Sequence, residues 1–205
     1  MKAVLLRATG GPEQLQLEEV PEPEPRDGEV VVGVRAAGVN FADVLVRQGR
    51  YPQPPELPTV PGSEVAGELD GRRVMALPSG GGYAEGVAVH ERLVVPLPDG
   101  ASFEEGAGFL LTYLTGWIPL TRQVRAGSGS VVLVHAGSGG VGSAAIQLAK
   151  HLGARVVATA RSSYGCAPQV STSPTCSCGR GGIRSRRSCR RCRGRRSPAS
   201  STGGG

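Results

Sequence analysis

Four consecutive β-formers, a glycine-rich turn and a helix with one apolar face follow one another between residues 131 and 152, and few folds accommodate that order. Val131-Val132-Leu133-Val134 is an unbroken apolar run, the pattern of a parallel strand covered on both faces. Ala136-Gly137-Ser138-Gly139-Gly140-Val141-Gly142 comes next. Val141, Ala144, Ala145, Leu148 and Leu152 then recur on one helical face, Gly153 ends the helix, and Arg155–Ala158 starts another strand. The succession predicts a β-α-β unit. Within it, Gly137-x-Gly139-x-x-Gly142 has the spacing and the context of a dinucleotide-binding turn. Gly137 would allow the tight turn, Gly139 would let the backbone approach a pyrophosphate, and Gly142 would let helix and strand pack closely. Unpaired N–H groups at the helix start favour an anion there. The alternative is a plain tight turn.

The residues before this unit change character several times. Met1–Leu6 and Gln14–Val20 read as strands, and Pro21, Pro23 and Pro25 break the chain after them. Glu29–Ala37 alternates, with Val30, Val32 and Val34 on one side. Asn40–Arg47 reads as a short helical turn, and Tyr51–Pro61 holds five prolines and predicts an irregular loop. Ser63–Leu69 and Arg73–Leu77 read as strands joined by the hairpin signal Asp70-Gly71. Tyr83–Val89 and Leu93–Pro96 add two more. So many short strands and turns predict a compact β-barrel. Ser102 and Glu105 have capping-box spacing, so a helix should begin there, with apolar residues running on to Leu120.

The segment 161–205 is written differently. It holds all five cysteines, ten arginines and no Asp or Glu. It can be read as residues 29–73 translated one base out of phase. If Val34 to Asn40 is encoded GTG CGC GCC GCA GGT GTC AAC, a start one base later gives Cys-Ala-Pro-Gln-Val-Ser, which is Cys166 to Ser171. The correspondence runs from Glu29/Arg161 to Arg73/Gly205, with Tyr164 the one misfit, and Val74-Met75 read in that phase gives a stop. Disorder is expected, because few large apolar residues are present to offset chain entropy. The alternative is a basic zinc or nucleic-acid segment, since Cys176-x-Cys178 and Cys189-x-x-Cys192 resemble ligand pairs.

Setting the tail aside changes the charge. The whole chain carries a formal +6, but residues 1–160 hold 13 basic and 17 acidic residues, a net of −4. That balance gives no nucleic-acid signature. No apolar run approaches the ~20 residues of a membrane span, and the run before Arg7 is too short for a secretory signal. A cysteine-free body is compatible with a reducing compartment, and a cytoplasmic location is expected.

Met1-Lys2-Ala3-Val4, Ala36-Ala37-Gly38-Val39-Asn40-Phe41-Ala42-Asp43, Pro61-Gly62-Ser63-Glu64-Val65-Ala66-Gly67, Gly81-Gly82-Tyr83-Ala84-Glu85, Leu111-Thr112-Tyr113-Leu114-Thr115 and the glycine turn occur in this order. Together they resemble the quinone oxidoreductase branch of the zinc-independent medium-chain dehydrogenase/reductase superfamily. The resemblance implies a mixed fold. A GroES-like β-barrel domain over 1–120 would be followed by an incomplete Rossmann α/β domain over 121–160, with 161–205 as the tail. It implies NADPH as cofactor and a small-molecule quinone or activated enone as substrate, with an enoyl reductase of the same superfamily as the alternative. Catalytic roles then fall to Asn40 and Tyr51. Asn40, Thr112, Gly137, Ser138, Gly139, Gly140, Val141 and Gly142 would bind the cofactor. Asn40 has turn capping as its other reading, and Tyr51 packing. Zinc-dependent relatives have Cys and His where this chain has Asn40 and Ser63, so no metal site is expected. His90 and His135 are expected to be structural, and His151 ends a helix, where a cation is favoured.

The dinucleotide fingerprint usually places an acid about 20 residues on, for the ribose of NAD. Ala158-Thr159-Ala160-Arg161 has none, which favours NADP. Family members have about six parallel strands in the second domain and are often dimers. This chain carries about one and a half β-α units of that domain and lacks the usual dimer strand. It is therefore expected to be a truncated, inactive fragment with apolar strand edges left open.

Overall fold

The computed structural model describes residues 1–160 and the backbone of Gln169–Ser171. Strands β1 (Lys2–Leu6) and β2 (Leu15–Glu19) form an antiparallel ribbon. Then come β3 (Glu29–Ala37), helix α1 (Phe41–Arg47), β4 (Val65–Leu69), β5 (Arg72–Ala76), β6 (Gly86–His90) and β7 (Val94–Pro96). The last five strands form one antiparallel sheet in the order β6-β3-β4-β5-β7. Bridges Ala3–Ala84 and Leu6–Thr59 tie the β1–β2 ribbon to the segments flanking this curled half-barrel. The fold is thus GroES-like, as the motifs imply.

The period-two pattern of β3 carries the core. Val32 is fully buried with Val65, Val74, Ala76, Val87 and Val89, and Val30 and Val34 pack against the same cluster. Asp70 (φ 48°) and Gly71 (φ 73°) both take left-handed backbone, as a tight two-residue hairpin requires, and join β4 to β5 in the Leu69–Arg72 register. Where β3 and β4 cross, the backbones touch. A Cβ on Gly67 would overlap the Gly33 carbonyl and lie 2.9 Å from its carbon.

Helix α2 (Phe103–Ala107) begins with the expected capping box. The Glu105 amide donates to Ser102 Oγ (3.1 Å), and the Ser102 amide donates to Glu105 Oε2 (2.9 Å). The Arg73 and Arg35 guanidinium groups lie 4.7 and 5.8 Å from the Phe103 ring centre, and Arg73 also donates to the Ala101 carbonyl. The apolar run to Leu120 is not one helix. It divides at Gly108 into α2 and α3 (Leu110–Ile118), and α3 continues into a π-turn over Pro119–Gln123.

Strand β8 (Val131–Val134), helix α4 (Gly140–His151) and strand β9 (Arg155–Ala160) form the expected parallel unit, registered Val131–Arg155 to Val134–Ala158. This is a partial Rossmann-like fold. Two details differ from the sequence reading. Among the described residues β8 is covered on one face only: Val132 and Val134 turn inward, whereas Val131 and Leu133 are each 57% exposed. Val141 does not join the buried face of α4 either. Gly142 meets the Ala136 carbonyl, and Gly142, Ala144 and Ala149 are the residues buried. A third difference concerns the segment expected to be disordered. Gln169–Ser171 forms β10, antiparallel to β9, where it pairs backbone groups that an edge strand would leave open. The rest of 161–205, with both cysteine pairs, lies outside the described residues.

The β3–β4 contact gives a pair of expectations. Gly67→Ala should cost about 2 kcal/mol or more in urea denaturation, because backbone must move to admit the methyl. Gly33→Ala should cost about 1 kcal/mol or less, since a Cβ there meets only the Glu68 carbonyl at 3.7 Å. Equal losses would place the strain elsewhere.

Candidate functional site

Two groups of residues matter, and one buried carboxylate joins them. The first group lies where β3 leaves the sheet. Asn40 is the N-cap of α1, and Asp43 in its first turn accepts from the Asn40 backbone N–H (2.7 Å). Asp43 is buried, and its Oδ2 also accepts from the Tyr83 hydroxyl (2.8 Å). Burial, and next the adjacent Asp43 carboxylate, push the Tyr83 phenol well above its ordinary range. Asp43 lines a cavity of about 160 Å³ with Tyr51, Ser63, Thr59 and residues of the proline loop. The structure therefore puts Tyr51 at the cavity wall, 39% exposed, whereas Asn40 is not among the residues lining the cavity and is tied to it through Asp43.

The second group is the glycine turn. Its left-handed residue is Ala136 (φ 54°), not Gly137. Gly137 is constrained by space instead: a Cβ there would lie 3.0 Å from Ile146 Cδ1 and 3.1 Å from Ala158 Cβ. The Gly137 amide is anchored to the Thr159 carbonyl (2.8 Å). Gly142 is closed to any side chain by the Ala136 carbonyl and by Gly137 Cα at 2.9 Å. The outer rim is open. Ser138, Gly139, Gly140 and Val141 are exposed, and a Cβ on Gly139 would meet only the Ala136 carbonyl oxygen at 3.4 Å. Gly139 is the N-cap of α4, so the amides of Gly140, Val141 and Gly142 begin the helix without a preceding turn to bond to. A bare rim of backbone donors at a helix start suits an anionic group such as a pyrophosphate. Thr112 stands beside it, its Cγ2 and Oγ1 lying 3.6 and 3.9 Å from where a Gly140 Cβ would be.

Glu64 connects the groups. It is 1% exposed. Its Oε1 accepts from the Leu111 amide (2.9 Å) in the first turn of α3, and its Oε2 accepts from Asn40 Nδ2 (3.3 Å). Burial raises the Glu64 carboxyl above the usual glutamate range. The Leu111, Asn40 and Leu110 donors pull against that, and the Asp43 charge adds to it. Gly38 makes the approach possible: a Cβ there would overlap the Ala107 carbonyl and come 2.9 Å from Glu64 Oε2.

Sequence reasoning named Asn40, Tyr51, Thr112 and the turn but gave no role to Glu64, Asp43 or Tyr83. A signal existed. Glu64 is an acid set among Pro61, Gly62, Val65 and Ala66, and Asn40-x-x-Asp43 has N-cap spacing. His135 Nδ1 lies 3.0 Å from Thr159 Oγ1 at the ends of β8 and β9. Among the described residues no three of His, Cys, Asp and Glu are grouped to hold a metal ion, and no helix is long and apolar enough to cross a membrane.

Comparison with known proteins agrees with this fold. Residues 26–99 match the alcohol dehydrogenase GroES-like domain. The quinone oxidoreductase of Mus musculus is 38% identical over 178 residues, covering 80% of this chain and 54% of that protein. The human synaptic vesicle membrane protein VAT-1 homolog-like is 39% identical over 159 residues, covering 72% and 38% respectively. The Thermus thermophilus quinone oxidoreductase, whose structure was solved alone and with NADPH, superposes with a TM-score of 0.75 at 47% identity, covering 80% of this chain and 54% of that one. The chain thus spans about half the length of the quinone oxidoreductases it matches. In motif, fold and sequence its relatives are quinone oxidoreductases of the medium-chain dehydrogenase/reductase superfamily.

Proposed function

We propose that this chain carries the substrate-side domain, about 1–120, and the opening of the nucleotide domain, about 121–160, of an NADPH-dependent reductase of quinones or activated enones that works without zinc. The observation that carries the reading is the exposed amide rim of the glycine turn, with Thr112 beside it. In it the free amides of Gly140 and Val141, the backbone of Ser138 and the Thr112 hydroxyl would hold the pyrophosphate; Gly139, whose own amide is bonded to the Ala136 carbonyl, would leave the approach clear of a side chain, and Gly137 and Gly142 keep strand and helix close enough to shape the turn. NADPH is favoured over NADH because the described end of β9, Ala158-Thr159-Ala160, offers no acid to a ribose. It is also the nucleotide of the Thermus thermophilus complex.

When bound, the nicotinamide supplies the hydride; the protein's part is to bind, align and exclude water. Asn40 spends one Nδ2 proton on Glu64 and turns its side-chain oxygen to the first turn of α1 in a capping box with Asp43, which leaves its other N–H for the substrate or the carboxamide of the cofactor. Tyr51 walls the cavity on the proline-loop side. That cavity is smaller than the ~300 Å³ of a drug-sized pocket and suits a single small ring. Neither Asn40 nor Ser63 provides a thiolate or an imidazole, so polarisation of a carbonyl falls to neutral donors. The partner is a small molecule.

A second reading, a nucleotide-binding fragment without turnover, is favoured by the exposure of Val131 and Leu133 and by the edge position of β8 in its sheet among the described residues. Turnover separates the two. Oxidation of NADPH by the 205-residue chain in the presence of 1,4-benzoquinone, followed by the loss of nicotinamide absorbance, supports the reductase; binding without oxidation supports the fragment.

The turn itself is tested by Gly139→Asp. Its backbone (φ −81°, ψ 167°) suits an aspartate N-cap, so the thermal midpoint should hold or rise. The new carboxylate would face the pyrophosphate, so NADPH affinity by fluorescence titration should fall about tenfold or more. An unchanged affinity would remove the pyrophosphate from this rim.

A further inference from the structure

We propose that Glu64 is a positioning residue whose carboxylate fixes Asn40 and the first turn of α3 in one geometry, and thereby sets how Thr112 meets a nucleotide at the glycine turn. The nucleotide part of the inference rests on the function proposed above; the positioning part does not.

Helix α3 lacks a cap of its own, for Phe109 at its N-cap has no side-chain acceptor and none of its first-turn residues is acidic. Its Leu111 amide is served by Glu64, 47 residues earlier in the chain. A carboxylate at a helix start accepts orphan N–H groups and is favoured by the helix dipole. From that point α3 is held along its length. Thr112 faces Gly140, the Tyr113 hydroxyl donates to Gln147 Oε1 (3.2 Å), and Gly116 lets the helix settle on Ala145 and Leu148 of α4. A shift at Leu111 is therefore passed to Thr112, the next residue. The other oxygen of the same carboxylate holds Asn40 Nδ2, so the donor face of Asn40 is set by the group that sets α3. A backbone bond, from the Gly38 amide to the Glu64 carbonyl (2.8 Å), fixes Glu64 to the end of β3. The charged or titratable groups around it are Asp43 on α1 and, through Asp43, Tyr83.

The test is Glu64→Gln in the full chain. A glutamine keeps the size and one acceptor, but its amide nitrogen meets Asn40 Nδ2 donor to donor, so the Asn40 carboxamide must turn over. Amide exchange at Leu111 should quicken about tenfold or more, and the Asn40 side-chain NMR signals should move, while exchange within β3–β6 stays as in the wild type. Unchanged Leu111 exchange and unmoved Asn40 signals would overturn the proposal. Should the variant not fold, the wild type decides. The Leu111 N–H and the Asn40 side-chain amide should follow one common titration above the usual glutamate range, and independent behaviour would overturn the proposal equally. NADPH affinity in the wild type tests the functional reading separately. If the wild type binds, Glu64→Gln should weaken binding severalfold; if it does not bind, the function fails and the exchange result still judges Glu64.

Discussion

A carboxylate taken out of water must find its hydrogen bonds inside the protein, and Glu64 finds them on segments that the sequence keeps far apart. Asn40 lies 24 residues before it and Leu111 lies 47 residues after it. Burying such a group is costly unless donors are in place. The packing around it is correspondingly tight, down to Gly38, where no side chain fits between Glu64 and the Ala107 carbonyl. The core of the half-barrel is a valine cluster that begins at the next residue, Val65. What Glu64 adds is a defined relation between that barrel and the helix leading to the glycine turn.

Much of the architecture is legible in the residues. Strand β3 shows its inward face by alternation, Asp70-Gly71 marks the β4–β5 hairpin, and Ser102 with Glu105 marks the start of α2. These are local signals, each decided within a few residues. What the sequence hides is set by distance or by neighbours. Glu64 looks like any acid until the fold brings Leu111 and Asn40 to it. The left-handed backbone at Ala136 runs against the preference of its residue type, so the glycine beside it draws the eye instead. The division between α2 and α3 falls at Gly108, the C-cap of α2, inside a run that stays apolar on both sides of it.

The β8-α4-β9 unit shows the limit of pattern reading from the other side. Its apolar run is that of a strand with two covered faces, yet only one is covered among the described residues. The pattern records the environment for which such a strand is suited. The chain's share of its relatives, about half their length, is consistent with a nucleotide domain represented here by its opening unit. The turn does not need the remainder to take shape. Its geometry follows from contacts inside the unit, Gly142 on Ala136 and Gly137 between Ile146 and Ala158.

The Tyr83–Asp43 pair bears on acid–base chemistry. A phenol that is both buried and bonded to a carboxylate grips its proton more firmly than a free tyrosine does. Near neutral pH it is a fixed donor and a very poor acid, although it stands beside a residue of the cavity wall. Its proton is committed to Asp43, so the pair serves to hold that carboxylate, and with it the start of α1, in one place at the cavity wall.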